Sequence, residues 1–259
     1  EWTTGFAIAE NNDLADAVLT GCLAEGSFES GFHVEDAPTV TNLVFRNCIS
    51  RNNGQKPDAF YNPSEESHGL HFGSGYWVQG ETTLYNCVSE GNGNAGFSAG
   101  PGVRLYSCTD DGSAVGFRLV ETHDVSIEDC TSRNAGAYGV YALEAERVVA
   151  EGLEILDPAG FDGSGSFFGT TAHPVVDSRF DIVGRNSETI RTIYGEGCRD
   201  VTFTGVIRTD HREPVVIARG AGVDTRGLQV EAKEEIASPG QDGGCGLKNF
   251  LIRIITAFL

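Results

Sequence analysis

The sequence predicts an all-β fold, a single right-handed parallel β-helix: one solenoid of roughly eight or nine rungs, with no helical domain. Three observations carry that expectation. A short alternating run ending in cysteine recurs along the chain, as in "NLVFRNC". A Gly/Asn-rich turn then leads to a second short run that begins with glycine and a bulky apolar residue, as in "GFRLV". No 3.6-residue apolar period lies between them, so the repeating unit is a coil of strands.

The copies follow in order. Cys22, Cys48, Cys87, Cys108 and Cys130 fall at intervals of 26, 39, 21 and 22 residues, and the long interval contains an insertion at 55–67. Weaker copies, "ERVVAEGLEI" (146–155), "DVTFTGVIRT" (200–209) and "GVDTRGLQVE" (222–231), keep the alternation without the cysteine. Regular repeats thus span 5–155 and 195–231, and one elongated domain is expected over 1–259, ending in an atypical apolar segment at 238–259. Stacked coils lie about 4.8 Å apart, so like residues form columns. A cysteine column reads as buried thiols rather than disulfides, because parallel stacking aims the Cβ atoms the same way.

Composition excludes several functions. A formal net charge of −19, with only Lys56, Lys233 and Lys248 among 18 basic residues, offers no basic face for nucleic acid. Heavy Asp/Glu with scarce Lys also matches the bias of salt-loving organisms. The C-terminal "LKNFLIRIITAFL" is too short to span a bilayer, and no zinc-ligand spacing occurs. The chain opens without Met or signal peptide, which reads as a trimmed fragment.

The segments "FRNCISRNNG", "LYNCVSEGNG" and "IEDCTSRNAGAYGV" resemble the pectate-lyase-like superfamily of parallel β-helices, whose turns often carry asparagine ladders. That resemblance makes Asn53, Asn92 and Asn134 ladder candidates. Taking Phe6, Phe32, Leu70, Phe97, Phe117 and Val140 as inward leaves Ala7, His33, His71, Ser98, Arg118 and Tyr141 as an outward column. Tyr76 and Trp77 follow the His71 rung, and aromatic rings beside it suit stacking on a sugar. "SHGLHFGSG" (67–75) also resembles the polygalacturonase histidine motif, with His68 as the matching residue. The paired aspartates of that family have only Glu35 and Asp36 as counterparts, so a lyase is expected over a hydrolase.

The expected lyase uses His71 or His33 as base, Arg118 as charge partner and Tyr141 as acid, with Tyr76, Trp77, Tyr61, His68, Glu35, Ser98, Glu121 and His123 binding an acidic polysaccharide. No cofactor is required; calcium would fall to Asp58, Glu65 and Glu66. The alternative expectation is a non-catalytic glycan-binding attachment protein, a tailspike or adhesin working as a homotrimer. Either reading places the chain outside the cell or on a cell or virion surface.

Overall fold

The structure, a computed structural model, describes residues 4–9, 12–34, 39–54, 73–161, 163–185 and 189–231. Among them there is no helix; every strand pair is parallel, and the chain winds into a β-solenoid of about nine turns. Among the described residues no helix is long and apolar enough to cross a membrane.

The first face stacks Phe6–Ile8, Phe32–Val34, Tyr76–Val78, Ala95–Ala99, Val115–His123, Tyr138–Glu146, Ser166–Phe168, Ile193–Gly195 and Val215–Ile217. Two further faces carry the strands before and after each cysteine. They merge into one sheet through Val149–Leu156, which runs round its corner with a bulge between Ala150 and Leu153.

Corners are made by residues in the left-handed region, which Gly, Asn and Asp enter at least cost. The corner ahead of the cysteine holds Asn47 (φ +52°), Asn86 (φ +50°) and Asp129 (φ +51°). The corner after it holds Asn52 (φ +52°), Gly91 (φ +57°) and Asn134 (φ +51°). The asparagine of "NC" is therefore a corner residue. Asn134 likewise leaves the ladder and donates Nδ2 to Asp111 Oδ1 at 2.9 Å on the exposed side.

The internal ladder begins with Asn53 and Asn92. Asn53 donates from Nδ2 to Asn92 Oδ1 (2.9 Å), and Asn92 donates from Nδ2 to the Ser50 carbonyl (3.1 Å) and Ser89 Oγ (2.8 Å). Ser113 continues it, accepting the Asn92 amide and donating to Asp110 Oδ1 at 2.6 Å. Ser50, Ser89, Asp110 and Ser132 stack in register on the strand that follows the cysteine. This column explains the glycine of "GF". A Cβ on Gly96 would lie 2.2 Å from Asp110 Oδ1, and one on Gly116 2.1 Å from Ser132 Oγ, so only glycine lets the faces close.

Beside it the aromatic core forms a continuous stack. Phe6, Phe32, Tyr76, Phe97 and Phe117 have successive ring centroids 4.7, 4.9, 4.9 and 5.5 Å apart. The rung between Phe32 and Phe97 is thus Tyr76 and not Leu70, because a flat ring continues the stack and its hydroxyl reaches the Val88 carbonyl at 3.2 Å. Trp77 consequently takes the outward place expected for His71. Gly75–Tyr76 was the legible signal, a glycine–aromatic pair like Gly31–Phe32 and Gly96–Phe97.

Cys48, Cys87, Cys108 and Cys130 are fully buried, and all six described cysteines, including Cys22 and Cys198, are free thiols. Burial pushes Cys48 up to about 11 and Cys198 up to about 12. Cys48 and Cys198 are therefore packing groups rather than nucleophiles.

Candidate functional site

The outward column of the first face runs Ala7, His33, Trp77, Ser98, Arg118, Tyr141, Phe167, Tyr194 and Val216, each in register with the next. Strand alternation alone aligns His33, Ser98, Arg118 and Tyr141. Their surroundings differ from an open polar stripe: His33, Ser98 and Arg118 are 5%, 3% and 5% exposed.

The His33 imidazole packs edge-on to Trp77, with centroids 3.9 Å apart at 71°. Arg118 donates from Nη1 to Ser98 Oγ at 3.2 Å, its one hydrogen bond among the described residues. A guanidinium carries five N–H donors, so this buried cation has capacity to spare. Burial lowers its pKa, opposed by the nearby Tyr141 and Glu121, and burial raises the Tyr141 phenol. Beyond Arg118 the column turns aromatic: Tyr141 stacks on Phe167 at 5.7 Å, Phe167 lies 5.6 Å from Tyr194, and Arg191 sits 4.5 Å above the Tyr194 ring.

Glu121 and His123 fall elsewhere, at the far end of the same strand. They line a groove of about 540 Å³ with Glu144, Glu146, Ala172 and Pro174. Glu121 (φ +51°) and Glu144 (φ +48°) each make a left-handed bend there. His173 Nδ1 bonds Glu144 Oε2 at 2.8 Å, and His123 Nδ1 bonds Asp124 Oδ2 at 2.8 Å. Arg147, more than His123, holds the Asp124 carboxyl well below the usual carboxylate range. Among the described residues no three His, Cys, Asp or Glu side chains converge to hold a metal ion. His71, His68, Tyr61, Glu35 and Asp36, and the calcium candidates Asp58, Glu65 and Glu66, lie outside the described residues.

No protein-family model matches the chain, and no curated protein does. Similar solved structures include a trypsin-treated form of QnrB1, a plasmid-mediated fluoroquinolone resistance protein: 14% identity, TM-score 0.24, covering 85% of this chain and 92% of that one. Another is HetL, a pentapeptide repeat protein involved in heterocyst differentiation regulation from the cyanobacterium Nostoc sp. strain PCC 7120: 8% identity, TM-score 0.21, covering 86% and 89%.

The expectation of a carbohydrate-active enzyme is corrected, because the column that was to carry the chemistry is assembled differently. His33 stands three rungs from Arg118, about 14 Å at 4.8 Å per rung, so His33 as base and Arg118 as charge partner do not share one reacting centre.

Proposed function

We propose that the chain is a non-catalytic binding scaffold whose first face seats a ligand with a carboxylate next to an aromatic body. The observation that carries this reading is Arg118: a guanidinium 5% exposed, held by one hydroxyl among the described residues, in a column that continues as Tyr141, Phe167 and Tyr194. A buried cation gains most from an anionic partner that supplies the missing acceptors, and a carboxylate matches the guanidinium fork with two parallel bonds. Partly exposed rings stacked on the following rungs present their edges to an apolar or aromatic body. In a chain of net charge −19, this point accepts an anion because the cation there is local and shielded from bulk screening.

Isothermal titration with benzoate, phenylacetate and indole-3-acetate tests the reading, with benzyl alcohol as the neutral control. Saturable binding of the carboxylates is expected, absent for the alcohol and weakened at least tenfold in Arg118→Gln. Equal binding by wild type and variant, or no binding by any carboxylate, would overturn it.

A further inference from the structure

We propose that the carboxyl of Asp110 is a proton-operated latch inside the solenoid: protonated, it closes the internal polar column between Val88–Glu90 and Thr131–Arg133, and ionised, it opens that column. Asp110 occupies a place that Ser50, Ser89 and Ser132 fill on neighbouring turns. It is fully buried. Its Oδ1 accepts from Ser113 Oγ at 2.6 Å, while Oδ2 has no hydrogen-bond partner among the described residues. On the next rung Ser132 Oγ is likewise unpartnered. A buried carboxyl with one oxygen unpartnered, no cation facing it and a second unpartnered oxygen on the next rung fits the protonated, uncharged form better than a carboxylate, which would leave a charge unsatisfied.

The groups facing Asp110 do not neutralise it. Ser89 and Ser132 flank it on adjacent rungs, Ser113 caps its own turn, and Gly96 and Gly116 present no side chain from the first face. The charged Glu90, Asp111 and Arg133 stack one position further along on the outward side, and Asp111 opposes ionisation further. Burial first, and Asp111 in addition, push the Asp110 carboxyl up to about 7, against the hydrogen bonds from Ser113 and Ser89. Gly96 and Gly116 each lie two residues before Ser98 and Arg118, so the latch sits directly behind the strands that carry them.

The sign follows from linkage. A carboxyl whose folded pKa exceeds its unfolded one stabilises the fold below the unfolded value and loses that contribution as pH rises through the folded value. Between about pH 4 and 7 the folded-to-unfolded ratio should fall about tenfold per pH unit on this account. The test is denaturant unfolding of the full chain from pH 5 to 8 for wild type, Asp110→Asn, Asp110→Ser and the control Asp111→Asn. Relative to either Asp110 variant, wild type should lose stability steadily toward pH 7 and level off above it, while Asp111→Asn keeps the wild-type slope. Protection of the Asn92 amide, which donates to Ser113, measured against its intrinsic base-catalysed exchange rate, should fall above pH 7 in wild type alone. Should Asp110→Asn fail to fold, Asp110→Ser, which restores the residue of the neighbouring turns, carries the test. A stability difference between wild type and Asp110→Ser that stays constant from pH 5 to 8 would overturn the latch.

Discussion

One internal column of the solenoid changes character half-way along. Through the early turns it reads Ser50, Ser89, Asp110 and Ser132, tied to Asn53, Asn92 and Ser113 by side-chain hydrogen bonds. Past Ser132 the same register continues as Ile155, Gly184, Ile207 and Val230. The cysteine position changes with it, from Cys130 to Leu153, Ile182, Gly205 and Leu228. The backbone ladder is parallel and continuous through both halves. Closing a turn therefore requires that its corner be filled and its buried polar groups satisfied, and polar ties or apolar volume both meet that condition. The difference teaches that the motif is one way of filling the coil; parallel pairing is common to both halves.

The comparison breaks most visibly in the aromatic core, where both halves should respond alike. Phe97→Ala in the early half and Phe203→Ala in the late half each remove a fully buried ring, and each should cost about 3–5 kcal/mol in urea unfolding. A cost for Phe203→Ala less than half that of Phe97→Ala would show the late half to be loosely packed. The polar ties come next. Asn92→Ala strips the buried Asn53 amide and Ser50 carbonyl of partners and should cost about 2–3 kcal/mol, with Asn92→Ser recovering part of it. Apolar Ala135 already occupies the corresponding place two turns on, so Ala135→Ser should change little if the halves close independently.

Cysteine replacement should matter less. Cys87→Val keeps a small apolar group in the column and should cost less than about 1.5 kcal/mol, by the same measurement. Thiol titration should find Cys22, which alone of the described cysteines is partly exposed, reacting first in the native protein, and at least six thiols reacting after denaturation. The smallest effect belongs to the surface. Arg51 pairs with Glu25 at 2.9 Å with both side chains exposed, so Glu25→Gln should leave the urea midpoint unchanged within measurement error.

Several features of this protein follow from its sequence alone. The recurring "NC" and "GF" give the period, the period gives stacked coils, and alternation aligns His33, Ser98, Arg118 and Tyr141, because neighbours along a solenoid repeat the same local geometry. Free stacked thiols follow from the same parallelism. Tertiary structure decided what depends on neighbours in other turns. Whether an asparagine makes a corner, as Asn86 and Asn134 do, or a ladder, as Asn92 does, depends on a φ angle and on which groups above and below need partners. The rung after Phe32 belongs to Tyr76 because aromatic stacking across turns, not spacing along the chain, determines where the insertion rejoins the coil. Outward direction likewise does not ensure contact with solvent: His33 packs on Trp77, and Arg118 is held against Ser98, because side chains one rung apart are closer than their own lengths.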